Sequence, residues 1–230
     1  MNPAARPDTV DPAIKTRVLI VDDHAVVRIG ITARLAIEPD MIVCGEAETS
    51  AEALRQIEAL APDVVILDLS LAGGSGLDLL KSLQAHGSKA KVLVVSGQDE
   101  AIYAERCMRA GASGYLSKTE AVHRIVDGIR CIRDGGHCLS NAITARIQGH
   151  LSAHQGNARA HPLQALSDRE LQIYEALGAG LTVKGIAAKF SLSHKTVDTY
   201  RTKLKQKLGI EDSHQLTRHA MLWLLEQVRG

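Results

Sequence analysis

Five polar side chains end or follow apolar segments of the sequence, and together they could bind a metal ion and a phosphoryl group. They are Asp22, Asp23, Asp68, Ser96 and Lys118. Clustered carboxylates raise one another's proton affinity unless a cation joins them. Mg²⁺ would relieve this repulsion, because it prefers oxygen ligands and keeps positions open for water and a phosphate. A hydroxyl donor and an ammonium group beside one carboxylate would suit a phosphoryl group attached to that carboxylate.

The elements that must position these side chains alternate along residues 17–133, which predicts an α/β domain. Strand patterns cover residues 17–21, 41–47, 63–68, 91–96 and 114–116. Helical patterns cover residues 24–37, 51–60, 76–86, 101–110 and 120–133. Five strands alternating with five helices indicate a doubly wound parallel sheet with helices on both faces. Such sheets bind ligands beyond the carboxyl ends of their strands, so the five polar side chains should converge on one edge.

A single aspartate after a strand is ordinarily a turn former or a helix cap. That explanation accounts poorly for this sequence, because the acidic pair, the single aspartate, the serine and the lysine occupy four separate strand ends. His24 and the four cysteines have simpler interpretations. His24 is expected to begin the first helix beside the acidic pair, and the cysteines lack CxxC spacing and are expected to be reduced and packed.

The rest of the chain has a different organisation. Residues 134–162 predict a linker with a short helix around Ser140–Leu151. Residues 163–230 show no strand pattern and predict an all-α domain of four helices, at about 168–177, 183–190, 194–208 and 213–228. Ser167 and Glu170 have the spacing of a capping box at the start of this domain. Residues 1–16 contain three prolines and no apolar run, which predicts a disordered arm and not a signal peptide.

Charge differs between the two domains, although the whole chain has a net charge of +1. Residues 17–133 carry 13 Lys and Arg against 16 Asp and Glu, a balance of −3, and residues 163–230 carry 10 against 7, a balance of +3. This contrast suggests different partners for the two domains. No apolar run approaches the roughly 20 residues that span a bilayer, so we expect no membrane association and a cytoplasmic protein.

Residues 181–210 read as helix, tight turn, helix, the arrangement of a DNA-binding motif. The second helix has an apolar face, and its opposite face carries short polar side chains and lysines. Lysines can neutralise phosphates while shorter side chains reach base edges in the major groove. The expected DNA-contacting residues are Lys195, Asp198, Thr199, Thr202, Lys203 and Lys205.

Four motifs give the first domain a resemblance to the receiver domain of bacterial two-component response regulators. They are VDDH at 21–24, LDLS at 67–70, VSG at 95–97 and GYLSK at 114–118. The resemblance implies a flavodoxin-like sheet and a phosphoacceptor that takes part in its own Mg²⁺-dependent phosphotransfer and dephosphorylation, not an enzyme with a separate substrate. It implies that a sensor histidine kinase phosphorylates Asp68.

The same resemblance implies a role for each polar residue. Asp23, Asp68 and the Ser70 backbone carbonyl would bind Mg²⁺, with Asp22 acting through a bound water. Lys118 would pair with phosphoryl oxygens and Ser96 would donate its hydroxyl to them. Tyr115 occupies the aromatic switch position, although a tyrosine on an edge strand commonly serves only packing with a solvated hydroxyl. Receivers usually have Met-Pro where this chain has Leu71-Ala72, which puts the phosphoryl lifetime in doubt.

The second domain closely resembles the LuxR-type DNA-binding domain of the NarL/FixJ subfamily, over roughly residues 165–228. The resemblance implies duplex DNA as a partner, a homodimer on DNA, and RNA polymerase as a further partner. Gly185, Tyr200 and Asp198 depart from residues common in the family, and Asp198 puts the target sequence in doubt. An apolar stripe on the last helix would by itself more often be domain core, but the family resemblance and the need to bind two half-sites favour it as the dimer surface. It comprises Leu216, Ala220, Trp223 and Leu224.

The sequence therefore predicts a phosphorylation-controlled transcription regulator. One alternative is a haloacid-dehalogenase-like phosphatase, which usually needs a second Asp two residues after its nucleophile, where this chain has Ser70. Activity on a generic aryl phosphate would favour that alternative. The other is an interaction module whose basic domain binds protein or RNA. Salt-sensitive retention on duplex DNA would argue against it.

Overall fold

The computed structural model describes residues 15–72, 74–145 and 161–229. These residues form two compact units, of which the first continues through Ala145. Nearly all of the expected disordered arm, and residues 146–160 of the predicted linker, lie outside the described residues. Within the described parts of the chain, no helix has both the length and the apolar character that crossing a membrane requires.

The first unit contains the predicted five-stranded parallel sheet, which confirms the α/β fold. In chain order the strands are β1 (Thr16–Val21), β2 (Met41–Ala47), β3 (Val64–Leu67), β4 (Ser70–Leu71), β5 (Gly74–Ser75), β6 (Lys91–Ser96) and β7 (Gly114–Ser117). The sheet order is β2-β1-β3-β6-β7, and all of these pairs are parallel. β4 and β5 form a separate antiparallel pair, which the sequence patterns did not predict.

Five helices surround this sheet. They are α1 (Ala25–Ala36), α2 (Ser50–Leu60), α3 (Gly76–Ala85), α4 (Glu100–Arg109) and α5 (Lys118–Arg133). Val18 belongs to a buried cluster with Leu35 of α1 and Ile129 of α5. The neighbouring Leu19 points to the opposite face, where its side chain and that of Leu60 of α2 both lie next to Gly45 of β2. Because successive strand residues alternate between faces, one apolar strand supplies core residues to both helical layers.

Of the helices that begin earlier than the apolar periodicity predicts, α2 and α5 are capped by polar side chains. The Ser117 hydroxyl accepts a hydrogen bond from the Glu120 N–H at 3.2 Å, so α5 begins at Lys118. Thr49 caps α2 in the same way, accepting from the Glu52 N–H at 3.2 Å. Such caps satisfy backbone donors that the first turn of a helix leaves unpaired. The cap at Ser117 also fixes Lys118 at the carboxyl end of β7.

The first compact unit extends beyond residue 133. The Cys138 carbonyl accepts a hydrogen bond from the Tyr115 N–H at 2.7 Å, and Cys138 forms an isolated parallel bridge with Gly114. Residues 141–145 are helical, and Ile143 among them is buried. The segment after α5 therefore adds to the edge of the sheet before the chain leaves the described region.

The second unit is the expected all-α domain. After a short 3-10 turn (Pro162–Ala165) come α6 (Asp168–Gly178), α7 (Val183–Phe190), α8 (His194–Leu208) and α9 (Ser213–Arg229). The capping box is present, since the Ser167 hydroxyl and the Glu170 carboxylate each accept from the other's backbone N–H. Lys207 of α8 contacts the buried Glu170 carboxylate at 2.6 Å, which joins the end of α8 to the start of α6. Gly209 follows α8 with a φ of 65°, a left-handed conformation that glycine adopts without steric cost.

Three of the four stripe residues of α9 are buried in the domain's own core and Leu224 is half-buried, which corrects the assignment of this stripe as the dimer surface. Leu216 and Ala220 are fully buried and Trp223 is nearly so. The Trp223 ring lies 5.7 Å from the Tyr174 ring of α6, and a Cβ at Gly178 would meet the Ala220 carbonyl at 2.5 Å. Side chains packed this closely inside one domain are not free to meet a second copy.

Candidate functional site

The acidic cluster forms where β1 and β3 end side by side. Val21 pairs with Leu67 in the parallel ladder, so Asp22 and Asp68 leave neighbouring strands at the same level. The Asp68 N–H donates to the Val21 carbonyl at 2.9 Å, which continues the ladder by one residue. Asp22 is 3% exposed and Asp68 is 2% exposed. The sheet register thus places two carboxylates in a buried position at its carboxyl edge.

Lys118 provides the positive charge of this cluster. Its Nζ atom lies 2.8 Å from Asp22 Oδ2 and 2.8 Å from Asp68 Oδ2. Burial by itself would lower the pKa of Lys118, but the hydrogen bonds to Asp22 and Asp68 outweigh burial and raise the pKa. Burial raises the pKa of Asp68, and the hydrogen bond from Lys118 opposes that rise. Lys118 is therefore charged at neutral pH, and a further positive charge nearby would stabilise the ionised form of the Asp68 carboxylate.

Two carboxylate oxygens at this edge fit a cation. Asp68 Oδ1 and Asp23 Oδ1 are buried and have no hydrogen-bond partner among the described residues. One ligand atom each from Asp22, Asp23, His24 and Asp68 lies within 4.8 Å of the others. Leaving a buried carboxylate oxygen without a partner is costly, and a hard divalent ion bound by oxygen would remove that cost. The donors present therefore suit the Mg²⁺ expected from the sequence.

The loop after Asp68 is held by its own pairing and by a contact with the segment that follows β6. Ser70 and Leu71 pair with Ser75 and Gly74, so the loop is held as a short hairpin. Leu71, which with Ala72 stands where receivers usually have Met-Pro, is therefore itself part of this hairpin, and Gly73 is outside the described residues. The Ser70 hydroxyl also accepts a hydrogen bond from Gln98 Nε2 at 3.2 Å, which connects this loop to the end of β6.

Gly76 is required where this loop enters α3. A Cβ atom there would lie 2.1 Å from the Asp68 carbonyl oxygen and 2.7 Å from Leu69 Cα. Both are backbone atoms, which cannot move without displacing Asp68. We therefore expect Gly76→Ala to lower the free energy of unfolding by about 3 kcal/mol, and urea denaturation would measure it.

A matched control for this substitution is Gly30→Ala in α1. A Cβ at Gly30 would meet nothing within 4 Å, so the same change should raise the free energy of unfolding by about 0.5–1 kcal/mol. Equal urea midpoints for Gly76→Ala and the wild type would contradict the close approach at Asp68.

Ser96 and Tyr115 lie together next to the cluster, and Gln98 joins them. Both Ser96 and Tyr115 are fully buried. The Tyr115 hydroxyl donates to the Gln98 carbonyl at 2.8 Å, and the Gln98 N–H donates to Ser96 Oγ at 3.3 Å. Burial raises the pKa of Tyr115 well above its usual value, so the ring stays neutral. Sequence reasoning missed Gln98, because a glutamine in a loop carries no motif that would identify its contacts.

The predicted DNA-contacting face of α8 is exposed, as its amphipathic pattern indicates. Lys195, Asp198, Thr199, Thr202 and Lys203 are exposed, and Lys205 is half-buried. Val197 and Leu204 of the same helix are fully buried in the domain. The Ser193 hydroxyl caps α8 by accepting from the Thr196 N–H at 3.0 Å. The helix therefore has a rigid inner face and a polar outer face.

Several of these polar groups already have intramolecular partners. The Thr199 and Thr202 hydroxyls donate to the carbonyls four residues earlier, at 2.9 Å and 3.0 Å. Asp198 pairs with Arg201 at 3.0 Å, and Lys203 Nζ lies 5.8 Å from the centre of the Tyr200 ring. The threonines can therefore present an acceptor lone pair and a methyl group, while the charge of Asp198 is offset by its neighbour.

Comparison with known families finds two matching segments. Residues 18–130 match the family described as "Response regulator receiver domain". Residues 164–220 match the family described as "Bacterial regulatory proteins, luxR family". The first segment contains the acidic cluster and the second contains α8.

Similarity to curated proteins extends over most of the chain. The chain is 35% identical over 210 residues to the response regulator GacA of Pseudomonas viridiflava, an alignment covering 90% of this chain and 97% of GacA. It is 34% identical over 206 residues to the transcriptional regulatory protein LiaR of Bacillus subtilis, covering 89% and 96% of the two chains.

Solved structures with the same fold include RcsB of Salmonella typhimurium. That structure has a TM-score of 0.70 at 23% identity and covers 90% of this chain and 97% of its own. An RcsB–DNA complex gives a TM-score of 0.69 at 22% identity, covering 90% and 98% of the two chains. At these identities the likeness concerns the fold.

Proposed function

Because the chain belongs to the NarL/FixJ-type response regulators of two-component systems, we propose that phosphorylation of Asp68 by a sensor histidine kinase controls its binding to DNA. Matches to both a receiver domain and a LuxR-type domain support this proposal. The observation that carries it is the environment of Asp68, which is buried with one oxygen on Lys118 and the other without a hydrogen-bond partner among the described residues.

We assign different roles to the two Asp68 oxygens. Oδ1, which has no partner among the described residues, would join Asp23 and the Ser70 carbonyl in holding Mg²⁺, with Asp22 acting through a bound water. Oδ2, beside Lys118, would attack the phosphorus of the kinase's phosphohistidine, so that a P–O bond forms as the P–N bond breaks. Bound here, Mg²⁺ supplies positive charge that offsets the charge on the phosphoryl oxygens.

Neighbouring side chains would then contact the phosphoryl group attached to Asp68. Lys118 Nζ, 2.8 Å from Asp68 Oδ2, is placed to pair with a phosphoryl oxygen attached there. The Ser96 hydroxyl can turn its hydrogen towards a second oxygen. Turning it would alter the contact with Gln98, whose carbonyl binds the Tyr115 hydroxyl, and this connects the phosphoryl group to the proposed aromatic switch.

Phosphorylation and DNA binding of the purified full-length chain test the proposed function directly. We expect acetyl phosphate with Mg²⁺ to add one phosphoryl group to the intact mass and to tighten binding to duplexes selected from a random pool. A chain that gains no phosphate would contradict the role of the acidic cluster. Hydrolysis of a generic aryl phosphate would instead support a phosphatase.

DNA binding by a homodimer is the form of recognition that we propose for the second domain. The α9 side chains available for self-association are exposed and apolar, unlike the buried stripe beside them: Met221, Leu222 and Leu225. A two-fold dimer would present two α8 helices to two inverted half-sites. Contact with RNA polymerase is a further part of the proposal, to be tested by cross-linking on promoter DNA. A cytoplasmic location follows from the need to reach DNA.

Ser96→Ala should still be phosphorylated on Asp68, but phosphorylation should strengthen its dimer less than it strengthens the wild-type dimer. A phosphoryl group shifts a conformational equilibrium only through contacts that differ between the two states, and the Ser96 hydroxyl is the proposed contact. Analytical ultracentrifugation of phosphorylated wild type and variant should show a weaker dimer for Ser96→Ala.

Leu222→Asp provides the matched comparison in the same experiment. It places a charge on the exposed apolar surface of α9, so it should weaken the dimer with or without phosphate. Identical dimer constants for phosphorylated wild type and Ser96→Ala would overturn the proposed coupling, and an unaffected Leu222→Asp dimer would overturn the proposed surface.

A further inference from the structure

Arg28 of α1 is buried beside the backbone of Asp22. It is 8% exposed, and it is the one buried lysine or arginine in the described part of the chain. Its Nη1 atom donates a hydrogen bond to the Asp22 carbonyl at 2.8 Å. Arginine is seldom buried unless its charge and its N–H groups have partners, so the contacts of Arg28 indicate what it holds in place.

Two carboxylates at the end of β2 fix the orientation of the Arg28 guanidinium. Its Nε atom lies 3.1 Å from Glu46 Oε2, and its Nη2 atom lies 2.5 Å from Glu48 Oε1. Glu46 is itself held, because the Thr32 hydroxyl donates to its other carboxylate oxygen at 3.0 Å. A guanidinium group is planar and rigid, so contacts at two of its nitrogens also fix the direction of the third. Nη1 is thereby directed at the Asp22 carbonyl.

The Asp22 carbonyl belongs to the peptide group that joins Asp22 to Asp23. The Asp22 N–H donates to the Ala47 carbonyl at 3.1 Å, which extends the pairing of β1 with β2 by one residue. Past this point Arg28 supplies the contact. Because a peptide group is planar, a hydrogen bond to its oxygen also fixes the direction in which the chain enters Asp23. Asp23 Oδ1 is one of the two buried oxygens that fit a cation.

We propose that Arg28 is a positioning residue for Mg²⁺ binding, which holds the peptide group between Asp22 and Asp23 so that both carboxylates face the ion. This inference rests on the proposed metal site. Arginine has no acceptor atom and cannot itself bind Mg²⁺, so Arg28 acts only through the residues that it contacts. Replacing a residue that holds metal ligands in place typically lowers metal affinity by roughly 10–100-fold.

The positive charge of Arg28 would by itself act in the opposite direction. A cation near the site repels Mg²⁺, so a neutral replacement would tighten Mg²⁺ binding if charge were its only effect. An arginine that only anchors α1 to β2 would change the free energy of unfolding and leave the Mg²⁺ constant of the folded protein unchanged. The direction of the change in Mg²⁺ affinity therefore separates positioning from both alternatives.

Isothermal titration calorimetry of Mg²⁺ with the full-length protein tests the inference. We expect Arg28→Met to raise the Mg²⁺ dissociation constant by about tenfold, the low end of the range for such residues. Arg28→Lys should raise it as well, because an ammonium group keeps the charge but cannot hold three partners in one plane. Arg34→Met is the matched control, since Arg34 lies on the same helix and pairs with Glu38, and this change should leave the constant unchanged.

The rate of phosphorylation by acetyl phosphate gives a second readout. For Arg28→Met, the Mg²⁺ concentration at half-maximal rate should rise by about tenfold, while the rate at saturating Mg²⁺ should stay within about twofold of the wild type. Circular dichroism without Mg²⁺ should show the variant as folded as the wild type, because unfolded protein would also raise the apparent constant. If Arg28→Met is partly unfolded, the folded Arg28→Lys decides in its place.

Glu48→Ala tests whether Glu48 acts through Arg28. The Glu48 side chain is 59% exposed, so its loss should leave the fold intact. It should weaken Mg²⁺ binding in the wild type and add nothing in the Arg28→Met background, whereas equal weakening in both would overturn this orientation of Arg28 by Glu48.

The outcomes for Arg28 and for the metal site are distinct. A Mg²⁺ constant that is unchanged or lower in the folded Arg28 variants would overturn the role of Arg28 and leave the metal site standing. A wild type that binds no Mg²⁺, or Mg²⁺ binding unaffected by Asp23→Asn, would instead overturn the proposed metal site itself.

Discussion

Asp68→Asn will fold and will accept no phosphoryl group from acetyl phosphate with Mg²⁺. The amide nearly preserves the shape of the side chain but replaces the nucleophilic oxygen next to Lys118. Lys118 keeps Asp22 as a partner at 2.8 Å, so no unpaired charge remains at the cluster. Burial raises the pKa of Asp68, and a neutral amide avoids the desolvation cost of a carboxylate there. Intact-mass spectrometry should show one added phosphoryl group on the wild type and none on the variant.

Asp127→Asn is the matched control for this prediction. Asp127 is an exposed carboxylate of α5 in the same unit, so the variant should be phosphorylated like the wild type. A phosphoryl group on Asp68→Asn would show that another residue is the acceptor. Circular dichroism of both variants would show whether either loses helical structure.

Substitutions on α8 will separate residues that position the protein on DNA from residues that read sequence. Lys203 and Lys205 lie on the polar side of α8, where lysines can reach phosphates. Replacing either with Ala should weaken all duplexes about equally and make the log–log salt slope shallower by ~0.9 for each phosphate that the protein no longer neutralises. Thr199→Ala should instead cost ~1–3 kcal/mol at one base pair, with little change in the slope.

The hydrogen bonds within α8 sharpen the expectation for sequence reading. The Thr199 hydroxyl already donates to the Lys195 carbonyl, so it can accept from a base but not donate to one without breaking that bond. We therefore expect Thr199→Ala to reduce the difference in binding free energy between the preferred base pair and the others by about 1 kcal/mol, the low end of the usual range. Asp198→Ala would free Arg201 from its ion pair, and we expect a change in base preference together with tighter binding to scrambled duplexes.

Fluorescence anisotropy with selected and scrambled duplexes at several salt concentrations measures these effects. Lys89→Ala removes an exposed lysine of the other unit and should leave the salt slope unchanged. If Thr199→Ala and Asp198→Ala weakened selected and scrambled duplexes equally, α8 would not read sequence. Equal slopes for the wild type and Lys203→Ala would mean that Lys203 reaches no phosphate.

The parallel sheet and the position of its acidic edge could be predicted from the amino-acid sequence. Two strands, β2 and β6, and two helices, α7 and α8, have the bounds predicted from the sequence. Short, continuous apolar runs bounded by polar or small residues specify strands that are buried on both faces. A parallel sheet brings the carboxyl ends of all these strands to one edge. Asp22, Asp68 and Lys118 therefore had to meet once the fold was known, and the structure brings them to 2.8 Å.

The partners of several apolar and polar groups became known only from the tertiary structure. The stripe of Leu216, Ala220 and Trp223 has the same periodicity whether it meets α6 or a second chain, and its contact with Tyr174 is between residues far apart in sequence. Gln98 carries no periodic or motif signal, and the VDDH motif that includes His24 says nothing about its contacts. The contacts of both residues depend on where loops fold back over the sheet edge. Periodicity reports which face of an element is apolar, whereas partners across the fold are set by packing between distant segments.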